Sequence, residues 1–137
     1  MKYGLIGEHL PHSFSKEIHA KIADYIYELH EIEKAELDGF MREKDFIAIN
    51  VTIPYKQTVM PYLDVISDEA TRIGAVNTIT RLPDGRLKGD NTDYFGFFRT
   101  LTACGCDPRG KKALVLGNGG AAATAVTVLT DMGAEVV

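Results

Sequence analysis

The sequence predicts an α/β protein, and three observations carry that prediction. Short apolar runs rich in β-branched residues alternate with segments whose apolar residues recur every three or four positions. Glycine, proline and asparagine fall between these runs, where turns need them. The composition is that of an ordinary globular domain: 137 residues, 45% hydrophobic and 25% charged.

The elements follow in order. "KYGLIG" (2–7) reads as a strand closed by glycine, and "EHLPHSFS" as a loop. From Ser15 the spacing of Ile18, Ile22, Tyr25, Ile26 and Leu29 predicts a helix. "YELHEIEK" reads as a second strand and "ELDGFMREKDF" as a short amphipathic helix. "AINVTIP" (48–54) is β-branched and apolar enough for a buried strand, ended by Pro54. "DVISDEATRIG" predicts a helix ending at Gly74. "AVNTITRLPDGRLKGD" reads as a hairpin turning at Pro83, Asp84 and Gly85. A helix is expected from Thr92 to about Ala103. Glycine, proline and charge then cluster in "CGCDPRGKK", as in a linker, and a second pattern begins with a strand over Ala113–Leu116. The expected division is therefore 1–103 and 104–137. No internal repeat interrupts it.

The formal net charge of −4 argues against a broad nucleic-acid surface, which carries a basic excess. It leaves room for a small anionic substrate, since a few local cations hold one carboxylate. Cys104 and Cys106 lack the second pair or nearby histidine of a zinc site. No metal is expected, and both read as reduced thiols. His9, His12, His19 and His30 show neither catalytic nor metal spacing. No apolar run approaches the ~18 residues of a membrane span, and the N-terminus has no long apolar h-region. A cytoplasmic protein without membrane or nucleic-acid partners is the expectation.

"GNGGAA" follows the strand at 113–116 and opens an apolar helix. It fits G-x-G-x-x-A, with Gly117 at the tight turn, Gly119 where the backbone approaches a pyrophosphate, and Ala122 where helix and strand pack closely. Gly117, Asn118, Gly119, Gly120 and Ala121 are the candidate nucleotide-contacting residues. A tight turn with no ligand is the plainer use of the same residues. The residue that selects between NAD and NADP falls about 20 positions beyond such a loop, at or past Val137.

Four polar clusters stand where elements end: Ser13 and Ser15; Asn50, Thr52 and Lys56; Asn77 and Thr78; and "GDNTD" (89–93). In open α/β sheets ligands sit outside the carboxyl ends of strands. Hydroxyls, an amide, an ammonium and a carboxylate converging there suit a small polyhydroxy acid. Each cluster also has a plainer use. Ser13 or Ser15 can cap the first helix, Asn91 or Asp93 the fourth, and Lys56 can be a solvated charge on a turn. Spacing alone does not bring the clusters together.

With these motifs in hand, the sequence resembles the shikimate dehydrogenase family along essentially its whole length. "HSFSKEIH" is similar to the family's H-S-x-S-P-x-x-H, "NVTIPYK" to N-V-T-x-P-[FY]-K and "IGAVNTI" to G-A-x-N-T. "GDNTDYFGF" resembles G-x-N-T-D-x-x-G, and "GNGGAA" resembles G-x-G-G-A. The resemblance implies a substrate-binding α/β domain with a mixed, mainly parallel sheet, followed by the truncated start of a Rossmann domain. It implies interconversion of shikimate and 3-dehydroshikimate with NADP, NAD remaining open, by a monomer or homodimer. It implies that Ser13, Ser15 and Thr52 hold the substrate carboxylate. Lys56, Asn77 and Asp93 would hold ring hydroxyls, with Lys56 and Asp93 the catalytic pair; whether Lys56 acts as base or as charged partner stays open. Quinate as the acid, or a binding module without chemistry, are the alternatives.

Two positions depart from the pattern. Lys16 replaces a usual proline, and Tyr94 stands where glycine is common, so its bulk is expected to narrow the gap between substrate and cofactor or to change substrate preference, for example toward quinate. The family's later residues, including a Tyr and a Gln of the substrate site, have no counterpart in these 137 residues. Little or no turnover is therefore expected of this chain alone.

Overall fold

A computed structural model describes residues 1–11 and 13–137, so His12 lies outside the described residues. The order of elements is β1 (Tyr3–Gly7), α1 (Ser15–Ile22), β2 (Glu28–Glu31), α2 (Leu37–Glu43), β3 (Ala48–Val51), a 3-10 turn (Met60–Tyr62), β4 (Val65–Ile66), α3 (Asp68–Ile73), β5 (Thr78–Arg81), β6 (Leu87–Asp90), α4 (Asp93–Ala103), β7 (Lys112–Ala113), α5 (Gly120–Asp131) and β8 (Glu135–Val136).

The first six strands form one sheet in the order β2-β1-β3-β5-β6-β4. β1 pairs in parallel with β2 and β3, and β4 with β6; β5 runs antiparallel to both β3 and β6. This is the mixed, mainly parallel sheet of an α/β protein. β7 and β8 form a separate parallel pair, with α5 packed on it and against α4.

Alternation along β3 shows how strand geometry separates core from site. Ile49 and Val51 are buried in the main core with Ile6, Met41, Tyr55, Val76, Ile79 and Leu87. Asn50, between them, points its side chain to the opposite face. The Tyr55 hydroxyl donates to the Ile32 carbonyl at 2.5 Å, so its one polar atom is satisfied inside that core.

Three expected elements differ in extent. The first helix stops at Ile22, because Leu29 pairs with Leu5 in the β1–β2 ladder and the chain must be extended there. Helix α1 buries none of its residues: Ile18 and Ile22 are exposed, so the apolar spacing marks a face uncovered among the described residues. The helix expected from Asp64 begins only at Asp68. Val65 and Ile66 pair with Lys88 and Gly89 as β4, and Ser67 caps α3 by accepting the Ala70 N–H. The strand expected over 113–116 is found only at Lys112–Ala113, although the Val115 N–H still bonds to the Val137 carbonyl. The hairpin and α4 lie where the sequence puts them.

Candidate functional site

Strand direction explains why distant clusters meet. β3 and β6 run the same way as β1, and β5 runs opposite to them. The ends of β1, β3 and β6 and the beginning of β5 therefore share one edge of the sheet. The loop after β1 and the start of α1 bring Ser13 and Ser15, the segment after β3 brings Thr52 and Lys56, the entry to β5 brings Asn77, and the start of α4 after β6 brings Asp93. All six line one cavity of about 700 Å³.

The Lys56 ammonium donates to Asp93 Oδ2 at 2.6 Å, with the two side chains 21% and 41% exposed. Backbone bracing fixes both partners to one segment. The Lys56 carbonyl accepts the Val76 N–H at 2.8 Å. The buried Asn91 donates from Nδ2 to the Ala75 carbonyl at 2.9 Å and accepts the Asp93 N–H at 3.1 Å. Residues 75–76 are thus a common anchor for a cation and an anion 37 positions apart.

A hydrogen-bond chain passes through Asn50 and Asn77, which line the cavity. The Tyr27 hydroxyl donates to Asn50 Oδ1 at 2.6 Å, Asn50 Nδ2 donates to Thr78 Oγ1 at 3.1 Å, and the Thr78 hydroxyl donates to Asn77 Oδ1 at 3.1 Å. Asn77 Oδ1 also accepts the Thr92 N–H at 2.9 Å, and Asn77 Nδ2 donates to Thr92 Oγ1 at 3.0 Å. Linked donors and acceptors of this kind polarise one another and hold one geometry. Burial, together with the neighbouring Tyr25, pushes the Tyr27 pKa up to about 12. His19 stacks on the Tyr27 ring with centroids 3.7 Å apart, and its Nδ1 bonds with the Tyr25 hydroxyl. The two serines form their own pair: Ser13 Oγ accepts the Ser15 N–H at 3.3 Å and lies 3.1 Å from Ser15 Oγ. Neither is the cap of α1, whose N-cap position is Phe14.

The glycine loop abuts this cavity. Asn118, Gly119, Gly120 and Ala121 line a second cleft of about 390 Å³ with Ile53, Pro54 and Gln57, and Thr52 and Lys56 belong to the walls of both. Gly117 adopts φ 137°, a conformation that favours glycine, with Ala122 close beside it; it is not in the cleft wall. A Cβ at Gly119 would meet nothing within 4 Å, so the backbone is open on that side. The first N–H groups of the 12-residue α5 have no intrahelical acceptor. Open backbone, free N–H groups and the positive end of a helix together fit a pyrophosphate.

Tyr94 departs from its expected role. It lines neither cavity; its hydroxyl donates to Asp131 Oδ2 at 2.7 Å, on α5. Among the described residues no group of three or more His, Cys, Asp or Glu is placed to hold a metal. Sequence reading gave no role to Tyr27 or His9, which support or line the cavity, and named Asn50 and, within "GDNTD", Thr92 without assigning either one. Asn50 was legible as the polar residue between two core residues of a strand. Tyr27 had no signal, since its partner lies 23 positions away.

Residues 5–79 match the family described as the shikimate dehydrogenase substrate binding domain. The chain is 50% identical over 139 residues to a shikimate dehydrogenase (NADP(+)) of Clostridium beijerinckii, covering 96% of this chain and 51% of that protein. Among solved structures it is similar to a chorismate mutase/shikimate 5-dehydrogenase fusion protein from Clostridium acetobutylicum (TM-score 0.88, 41% identity, 98% of this chain and 52% of that one). It is also similar to shikimate 5-dehydrogenase from Thermus thermophilus in complex with NADP(H) and shikimate (TM-score 0.86, 34% identity, 99% of this chain and 54% of that one). The chain spans about half the length of the curated relatives it matches.

Proposed function

The chain belongs to the shikimate dehydrogenase substrate binding domain family, and from that premise we propose that it is the substrate-holding part of an NADP-dependent oxidoreductase interconverting shikimate and 3-dehydroshikimate. One observation carries the reading: Lys56 stands in the walls of both the polar cavity and the glycine-loop cleft, 2.6 Å from Asp93. A secondary alcohol is oxidised by losing a hydride to one side and a proton to the other. Lys56 is the residue at that junction.

In this reading residues 1–103 hold the acid and residues 104–137 begin the nucleotide-binding unit. Ser13, Ser15 and Thr52 offer three hydroxyls to the substrate carboxylate. Asn77 and Asp93 hold ring hydroxyls and so fix which carbon faces the cleft. Lys56 exchanges the proton of the reacting hydroxyl, and Asp93, beside it, accepts its hydrogen bond and holds it in place. Asn118–Ala121 hold the pyrophosphate of the cofactor, which when bound supplies the hydride acceptor. The printed NADP(+) names of the relatives support NADP.

NMR titration of the 137-residue chain with shikimate tests the binding half of the reading. Shifts should concentrate at Ser13, Ser15, Thr52, Lys56, Asn77 and Asp93; shifts elsewhere, or none, overturn it. Lys56→Ala, in a form of the enzyme that turns over, should lower kcat about 10²- to 10⁴-fold, the range of one acid–base group, while shikimate still binds. Unchanged turnover removes Lys56 from the chemistry.

A further inference from the structure

Helix α5 carries the candidate nucleotide loop at its first turn and Asp131 at its last. Gly120, Thr124, Val128 and Asp131 share one face of it, by their spacing of four, four and three. Thr124 and Val128 on that face are buried. At the near end, Gly120 lies so close that a Cβ there would touch Lys56 Cδ at 3.6 Å and Ala75 Cβ at 3.7 Å. At the far end, the Asp131 carboxylate divides its oxygens between two elements of the substrate unit. Oδ2 accepts the Tyr94 hydroxyl at 2.7 Å, from the first turn of α4, and Oδ1 accepts Arg72 Nη2 at 2.5 Å, from the last turn of α3. Tyr94 is the residue after Asp93. The bond from Tyr94, and then the one from Arg72, hold the Asp131 carboxyl below its ordinary range, so it is ionised at neutral pH.

We propose that Tyr94, Arg72 and Asp131 form a clasp that sets the angle of α5 against the substrate unit, and so positions the glycine loop relative to Lys56 and Asp93. All three are positioning residues; none touches either cavity's reacting groups. A rigid helix of 12 residues spans about 18 Å, so fixing its far end fixes the direction of its first turn. With glycine at position 94 the carboxylate loses its α4 partner. Tyr94 then acts on the orientation of the cofactor-holding loop, away from the gap its bulk was expected to fill. Only the cofactor arm of the test below rests on reading that loop as a nucleotide site.

The experiment compares the isotopically labelled chain with Tyr94→Phe and Asp131→Ala. Residual dipolar couplings give the orientation of α5 relative to the six-stranded sheet, and amide exchange gives its local opening. Tyr94→Phe loses one hydrogen bond to a charged, partly exposed group, which corresponds to about a five- to tenfold change, and Asp131→Ala, which loses two, should change by at least that factor. Expected are a changed or averaged α5 orientation and amide exchange of Thr124–Asp131 faster by that factor, with amides of β1, β3 and β5 unchanged. Unaltered α5 couplings and exchange overturn the proposal. So does exchange that quickens equally in the sheet, because that is a loss of global stability rather than of positioning. Titration with NADP adds the cofactor arm: loop amides of the variants should report binding about five- to tenfold weaker, with shikimate affinity unchanged. If the parent chain shows no NADP shifts at the loop, the nucleotide reading fails, while the orientation of α5 still decides the clasp.

Discussion

Asn77→Ala gives the sharpest test of how this site is built, because the side chain both lines the cavity and ties two elements together. Its Oδ1 accepts the Thr92 N–H and the Thr78 hydroxyl, and its Nδ2 donates to Thr92 Oγ1. Three bonds at about 1 kcal/mol net each give about 3 kcal/mol. Thr92 is exposed, so water recovers part of what its groups lose, and the expected cost is about 2 to 3 kcal/mol. That is a large fraction of the roughly 5–15 kcal/mol typical of a domain. Urea denaturation of parent and variant measures it, the midpoint falling with little change in slope. Asn77→Asp keeps the acceptor, but it loses the donor and places a carboxylate at a buried position with only neutral partners, so it should cost more than the ~1 kcal/mol of the lost bond alone. An Asn77→Ala chain within about 0.5 kcal/mol of the parent, the ordinary range of surface substitutions, refutes the claim that this amide braces α4 and with it Asp93.

Three further outcomes are expected. Tyr55→Phe leaves the Ile32 carbonyl without its donor in the core and should cost about 1 to 3 kcal/mol in the same assay, whereas no loss would mean that water replaces the bond. Gly89→Ala places a Cβ against Leu63 Cδ1 and the Val76 methyls, so it should destabilise by about 1 to 3 kcal/mol through overpacking, read as a lower melting temperature. Two pH limbs follow from linkage. Asp64, held low chiefly by the Leu87 N–H, and Asp131, held low chiefly by Tyr94, contribute stability that is present above the ordinary carboxylate pKa and lost as pH falls through their depressed values. Tyr27, raised to about 12 by burial, contributes stability that is present below the ordinary tyrosine pKa near 10 and lost as pH rises toward 12. Denaturation midpoints should therefore decline below about pH 4 and again above about pH 10, and Asp64→Asn and Tyr27→Phe should flatten the respective limbs.

Legibility in the sequence followed the range of the forces. The β5–β6 hairpin, β3 and α4 could be read, because turn residues, alternation and periodicity act within a few positions. Residues 64–66 could not: Val65 and Ile66 continue a helical pattern, yet their backbone pairs with β6, more than 20 positions later. Leu29 fits both the α1 spacing and the strand read in "YELHEIEK", and pairing with Leu5 puts it in the sheet. Ile18 and Ile22 have the spacing of a buried face and are exposed, since periodicity records which residues share a face and says nothing of what covers it. Position alone puts the bulk of Tyr94 near the reacting centre, and its hydroxyl instead reaches a carboxylate 37 positions on.

The sequence by itself determined the alternation of strand and helix, the identity of the polar side chains at strand exits and the glycine loop at the start of α5. These are set by backbone sterics and local hydrogen bonding, which any chain of this order must obey. Only the tertiary structure decided that the antiparallel entry of β5 brings Asn77 to the edge where β1, β3 and β6 end. It also decided that Lys56 sits 2.6 Å from Asp93 while touching the second cleft. Pairing between remote strands decides such meetings, and its energy depends on register and burial across the whole sheet, which no short stretch of sequence contains.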